Sequence, residues 1–481
     1  MKAQAHVRPL AALARFLWAA TLLTLPVTSF RYFPAGEGTY VRPLAVLPLV
    51  LLLATLLLQL LKGQIGPPAA PPLVPFAVFL LICAATSALG IGFDPLPMRG
   101  QEAASRVLRA WATVLVGAGF FLGAIWMNRD ERSLRFSVRW LLFGFVADVF
   151  WSGVQGATFY LQVLPKPLVT HWQRLFSLRE LIRTNRISGM AYEPAWLAGQ
   201  IATVYLPWLT AAVLTKVRMT RYRWFEPCLL IAALALVLAT FSRGGILTAL
   251  VSAGLGVVLA GRSELCLVWK WLTARVARPK DQALRLGVTA VLLTMVAGAG
   301  FLLAQRGYIS RLWDSGAADL PDFLVRNSAG ARGAYLSSGL EIYQEFPWTG
   351  VGLGASGLYM YGRLPDWALT TVPEIARQLS PESRLYPNPK NLYVRLLAET
   401  GIAGLVALLA FQLYLLGETL AAFQRKGPVW RYVGIAALCT FVALLLYNMT
   451  QDSFATPNLW INLGILAGMS GAKTNLGNGT A

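Results

Sequence analysis

Runs of about twenty apolar residues recur along the whole of this chain, each long enough to cross a bilayer of roughly 30 Å as a helix. In hydrocarbon every backbone N–H and C=O must be paired inside the protein, so runs of this kind fold as helices. Composition agrees: of 481 residues 56% are hydrophobic and 13% charged, against about a quarter charged in soluble chains. The expected fold is an all-α polytopic membrane protein of about twelve transmembrane helices. Their expected limits are 10–30, 41–61, 72–92, 106–127, 137–158, 191–214, 226–242, 244–261, 285–305, 391–417, 431–450 and 457–472. The first run has the length of a signal sequence, but no small-residue cleavage site follows it.

Lysine and arginine in short loops orient such a chain, because basic loops stay in the cytoplasm. With the N-terminus inside, the inner side receives Lys2, Arg8 and Arg15, then Arg129, Arg132, Arg135 and Arg139. It also receives Lys216, Arg218, Arg221 and Arg223, the basic loop 262–285, and Arg425, Lys426 and Arg431. An even span count returns the C-terminus to the same side. Cytoplasmic loops thus account for most of the net charge of +20, and no nucleic-acid partner is expected. Cys83, Cys228, Cys266 and Cys439 lie in no outer loop and form no CxxC pair, so neither a disulfide framework nor a zinc site is indicated.

This orientation gathers the unusual chemistry on the outer face. The chain divides into nine spans over 1–305, a long outer loop at 306–390, and three further spans over 391–481. A second outer segment at 159–190 contains "HWQRLFSLRELIRTNRI", whose Trp172, Leu175, Phe176, Leu178, Leu181 and Ile182 share one helical face. Arg174, Arg179, Arg183 and Arg186 occupy the remainder, so a basic interfacial helix is expected near 171–186. "TFSRGG" at 240–245 places Arg243 at the outer tip of a helical hairpin, where a guanidinium needs an anionic or polar partner. In the long loop a helix is expected from Arg332, ended by Pro347. "WTGVGLGASG" follows, with glycines that allow tight turns and close approach to a ligand. "PNPKNLYVRLLAETG" then re-enters the membrane; Asn391 has the position of a cap, and Arg395 and Glu399 are spaced as an i,i+4 pair.

The order of "SRGG" at a hairpin tip, a long outer loop, "FPWTGVGLG" and "KNLYVRLLAETG" resembles the O-antigen ligase/polymerase family of GT-C-type bacterial membrane glycosyltransferases. The resemblance covers roughly 190–420, and "YEPAWLAGQ" at 192–200 is similar to a Glu-Pro motif of its polysaccharide polymerases. It implies a donor glycan on undecaprenyl pyrophosphate, an acceptor glycan and surrounding membrane lipids. It also implies the bacterial inner membrane, with the active site facing the periplasm, and no cofactor or metal. A chain-length regulator or other polysaccharide-assembly proteins are the partners it admits. By the same resemblance Arg243 and Arg332 stabilise the departing pyrophosphate. Lys390, Asn391, Arg186, Gly352, Gly354 and Asp452 are then candidates for binding substrate.

One departure bears on mechanism. Ligases of this family place a histidine directly before the Asn of the re-entering helix, and this chain has Lys390 there. A lysine stays protonated at neutral pH unless it is desolvated or crowded by other cations. The two histidines, His6 and His171, lie elsewhere. Glu193, beside Pro194 at the outer start of a span, is the first candidate base, and the intramembrane Glu399 the second. The function expected is a polymerase joining lipid-linked repeat units. The alternatives are a ligase that moves glycan to a lipid-A core or protein, and a polysaccharide transporter or flippase, although no internal repeat favours the last. The topology predicts that a single cysteine at Ser337, in a cysteine-free background, reacts with an impermeant reagent on intact cells. Labelling only after lysis would reverse the orientation.

Overall fold

The computed structural model describes residues 2–34, 39–181, 185–260, 316–327, 329–380, 382–383, 386–423 and 427–477, with a few positions between 266 and 290. From the N-terminus come α1 (Lys2–Leu23), α2 (Val46–Leu61), α3 (Leu73–Ile91), α4 (Ala103–Met127), α5 (Glu131–Phe159) and the short α6 (Lys166–Arg174). Then follow α7 (Pro194–Thr215), α8 (Phe225–Ala239) and α9 (Arg243–Ala260). The long loop expected outside contains α10 (Leu320–Arg326), α11 (Gly330–Glu345), α12 (Ser356–Tyr359), α13 (Asp366–Thr371) and α14 (Pro373–Leu379). The chain closes with α15 (Leu392–Phe423), α16 (Pro428–Tyr447) and α17 (Pro457–Gly477).

Among the described residues six helices are long and apolar enough to cross a membrane, namely α3, α4, α5, α7, α15 and α16. Shorter apolar helices lie at Pro9–Leu23, Val46–Leu61, Phe225–Ala239 and Arg243–Leu259. The protein is thus a helical, polytopic membrane protein. A helix covers each expected span except 285–305, which falls largely outside the described residues.

The bundle packs α17 on α4, α15 on α3, and α16 against both α7 and α9. Its aromatic centre is Phe76, Phe121, Phe411 and Trp460, with ring centroids 4.9 to 6.4 Å apart. Contacts at this spacing strengthen packing beyond area burial alone. Within α7 the turn Ile201–Tyr205 is π-helical. Pro207 cannot donate to the carbonyl four residues back, so the Thr203 carbonyl would be orphaned inside the bundle. Asn462 of α17 supplies the donor: its Nδ2 reaches the Thr203 carbonyl at 2.7 Å and that of Val204 at 3.1 Å. Its Oδ1 accepts from Trp208 Nε1 at 2.8 Å.

The basic helix expected near 171–186 is found earlier, at Lys166–Arg174, and the described residues beyond it, 175–181 and 185–193, run as a loop. Buried polar groups of α5 and the loop after α1 hold the backbone within that segment and just beyond it. Leu178 N–H donates to the Ser29 carbonyl at 3.1 Å. Gln155 Oε1 accepts from the Ser188 and Gly189 N–H groups at 3.0 Å, and its Nε2 donates to the Gly189 carbonyl at 2.9 Å. Asp148 Oδ1 accepts from Met190 N–H at 2.7 Å. Side chains that bind the backbone in this way compete directly with helix formation.

The long loop that carries α10 to α14 is joined to the bundle at a break in α15. Gly401 has φ 63° and ψ −167°, a conformation outside the helix. The Ala398 and Glu399 carbonyls accept instead from Val351 N–H at 3.0 Å and Gly352 N–H at 2.9 Å, while Ile402 N–H donates to the Pro347 carbonyl at 2.9 Å. A Cβ at Gly401 would lie 2.3 Å from the Trp348 carbonyl. Gly401→Ala should therefore destabilise the protein by about 1–3 kcal/mol through backbone strain alone, with the steric clash adding to it. Thermal unfolding in detergent should show the loss, and an unchanged midpoint would remove the break from the fold's requirements.

Candidate active site

The hairpin tip "TFSRGG" turns at Phe241, whose φ of 49° is rare for a bulky residue. Arg186 holds that turn: its Nε donates to the Thr240 carbonyl at 2.9 Å and its Nη2 to that of Phe241 at 3.1 Å. A cation beside the C-terminal carbonyls of α8 is favourably placed. Arg243, the first residue of α9, stands at the opposite kind of helix end, where a cation gains nothing from the helix dipole. Its Nη1 reaches Asn327 Oδ1 at 3.2 Å, which ties the tip to the junction between α10 and α11.

The next two residues fix where the tip sits. Gly245 packs directly on Ala198 in the first turns of α7, and Gly244 lies against Thr450 in the turn between α16 and α17. Glu193 immediately precedes α7, half-buried, and its side chain caps no backbone N–H. Arg179 and Tyr192 lie in its electrostatic neighbourhood. Burial pulls the Arg179 guanidinium below its ordinary value, and Glu193 acts in the opposite sense. Tyr40 stacks on Tyr192 at 4.6 Å, and Trp196 follows at 5.5 Å, so a row of three aromatic rings flanks this carboxylate.

The turn beyond α16 connects the tip to the re-entering segment. Asp452 Oδ2 accepts from Lys390 N–H at 3.1 Å, and Lys390 itself has φ 55°. Asn391 caps α15, accepting from Tyr393 and Val394 N–H at 3.0 and 3.2 Å. Arg395 donates to the Asp452 carbonyl and pairs with Glu399 at 2.9 Å. Glu399 is 2% exposed, and its other oxygen accepts from Ser356 Oγ at 2.8 Å. With both oxygens engaged, this carboxylate anchors the outer loop to α15.

The remaining candidates stand apart from that chain of contacts. Arg332 is exposed in the first turn of α11, five positions after Asn327. Gly352 and Gly354 have positive φ, and their close approaches are to protein: Gly352 to the Gly90 backbone on α3, Gly354 to Ala110 and Arg106 on α4. His171 borders an open cleft with Arg31 and Arg174, on α6. Among the described residues no group of three or more His, Cys, Asp or Glu could hold a metal ion.

Sequence reasoning passed over Asp148 and Gln155, which carry the strand leading to Arg186 and Glu193. Their signal was present, since Asp148, Ser152 and Gln155 recur at i, i+4 and i+7 on one face of an apolar helix. The aromatic row was not legible, because Tyr40 belongs to a different loop from Tyr192 and Trp196.

No curated protein matches the chain. A family model described as O-Antigen ligase matches residues 228–409, from α8 through the long loop into α15. That match covers the hairpin tip, the loop helices and the re-entering helix, and over these residues the chain is similar to the O-antigen ligase family.

Proposed function

We propose that this protein is a metal-independent polysaccharide polymerase that joins undecaprenyl-pyrophosphate-linked repeat units at the outer face of the bacterial plasma membrane, its N- and C-termini inside. The observation that carries the reading is the seating of the Arg243 tip between the start of α7 and the Asp452 turn that holds Lys390. Guanidinium, carboxylate and ammonium groups from distant parts of the chain thereby serve one outer site.

In the reaction an acceptor sugar hydroxyl attacks the anomeric carbon of the donor. The new glycosidic C–O bond forms as the bond to lipid pyrophosphate breaks, and the hydroxyl proton passes to Glu193. Negative charge gathers on the departing pyrophosphate, where the half-buried Arg243 and the exposed Arg332 offer planar guanidinium donors. Lys390 adds a point charge for phosphate. Tyr40, Tyr192 and Trp196 present ring faces beside Glu193 that suit the apolar faces of sugar rings. Arg186 serves by position, holding the hairpin tip through the end of α8. Asn391 and Glu399, engaged as cap and loop anchor, act as positioning residues.

The family description, O-Antigen ligase, favours a second reading in which one glycan moves to a lipid-A core or protein. Lys390 in place of the ligases' histidine speaks for polymerisation. Purified protein given a defined undecaprenyl-pyrophosphate-linked oligosaccharide and no other acceptor should yield a ladder spaced by one repeat unit. Product formed only after a core lipid or protein acceptor is added, with one glycan transferred, would establish the ligase. In the same assay Glu193→Gln should lose roughly 10²-fold or more in rate while still binding donor. Lys390→Arg should retain more activity than Lys390→Ala.

Arg243→Ala and Arg332→Ala should each lower turnover by about 10²-fold. Lysine should rescue poorly at both positions, since a point charge does not reproduce the guanidinium fork. Wild-type glycan output from Arg243→Ala at native expression would refute the leaving-group role.

A further inference from the structure

The outer face carries a second basic cluster, away from the hairpin tip. Arg106 lies in the first turn of α4 and Arg109 three residues on, so the two share a side of the helix. Arg106 is half-buried: its guanidinium lies 4.2 Å from the centroid of the Tyr386 ring, and Nε donates to the Gly354 carbonyl at 3.4 Å. Its two terminal nitrogens meet no hydrogen-bond acceptor among the described residues. The carboxylate in its electrostatic surroundings is Glu399, already paired with Arg395 and Ser356, while Arg395 and Arg109 add like charge. Arg109 is exposed and makes no ion pair among the described residues. Arg99, on the loop before α4, donates to Tyr361 Oη at 3.2 Å and to the Gln378 carbonyl. All three arginines act electrostatically on Tyr386.

Gathering like charges at a half-buried place is unfavourable unless a counter-charge completes it. Guanidinium groups gathered in the surroundings of Tyr386 match an anion with several oxygens, and phosphate fits that description best. The cluster is reached from the Arg243 tip through the Asp452 turn and the Arg395–Glu399 pair, so the two basic places are separate parts of one face.

We propose that Arg99, Arg106 and Arg109 hold a second lipid pyrophosphate, that of the acceptor. The inference rests on the polymerase reading, in which both substrates are lipid-linked. The donor loses its pyrophosphate at Arg243, whereas the incoming repeat unit keeps its own through the reaction and presents a hydroxyl at its far end. Such a substrate needs a holding place one repeat unit away from the bond that forms. It needs no leaving-group stabilisation there.

The test uses full-length protein in phosphatidylcholine nanodiscs, with undecaprenyl pyrophosphate bound per protein counted by native mass spectrometry. Wild type should bind two equivalents and Arg106→Gln/Arg109→Gln one. In the polymerisation assay the double variant should raise the acceptor KM about tenfold or more, with kcat little changed. Arg109→Gln alone, at an exposed residue with no hydrogen bond among the described residues, should shift KM in the same direction, so a misfolded double variant cannot shelter the proposal. Two equivalents retained by the double variant would overturn it. So would loss of the second equivalent when phosphatidylglycerol is added to the nanodisc, since the cluster would then be a headgroup site. If the count falls from two to one but wild type makes no ladder, the anion site stands and the polymerase reading fails. If wild type makes a ladder and both variants keep the acceptor KM, the reading stands and the site fails.

Discussion

A membrane helix cannot break in apolar surroundings unless other groups take over its freed hydrogen bonds. In α15 the break at Gly401 is met by the long loop itself. Val351 and Gly352 N–H groups bond the carbonyls of Ala398 and Glu399, and the Pro347 carbonyl receives Ile402 N–H. The exchange makes the loop part of the bundle's backbone pairing. Everything the loop carries, from α11 with Arg332 to the Lys390 turn, is positioned relative to the spans by that exchange. The Arg395–Glu399 pair reinforces it, because Glu399 also accepts from Ser356 at the far side of the glycine turn. A buried ion pair contributes little net stability by itself, and its value here lies in fixing one geometry.

The same logic recurs in α7. Pro207 removes a backbone donor, the helix opens into a π turn, and Asn462 repairs the loss across the bundle. That repair ties α7 to α17, while the other end of α7 begins at Glu193. On the neighbouring helix Gln155 and Asp148 bind the backbone of 188–190 and direct the chain into α7. Arg186 leaves this segment to grip the end of α8. Two hydrogen-bonded straps therefore converge on the hairpin tip, one from α5 and one from the α10–α11 junction through Asn327.

The arginines of this face differ in what engages them. Arg186 and Arg395 are satisfied by carbonyls or a carboxylate. Arg332 stays exposed, Arg106 keeps two donors in reserve, and Arg243 sits at a helix N-terminus where its charge opposes the dipole. A face built this way is suited to substrates that bring negative charge with them, which is the chemistry of lipid-linked glycans.

Much was legible in the sequence for one physical reason: hydrocarbon leaves a backbone little choice. Apolar length alone places helices over the spans from 10–30 to 457–472, apart from the stretch outside the described residues, and loop charge proposes their direction. Local capping chemistry was readable too, as Asn391 and the Arg395–Glu399 spacing show, because both partners lie within four residues. The glycines of "GVGLG" were misleading: their pattern announces close approach without naming what approaches, and it is α3, α4 and α15 that do so. The basic run after His171 had the periodicity of a helix, yet Ser29 takes its Leu178 N–H, and Gln155 and Asp148 hold the backbone at 188–190 just beyond it. Only the tertiary structure brings Thr450 to Gly244, Asp452 to Lys390, Asn327 to Arg243 and Tyr40 to Tyr192. Those partners come from separate helices and loops, and nothing in the local pattern of one segment encodes which carbonyl or ring a distant one will supply.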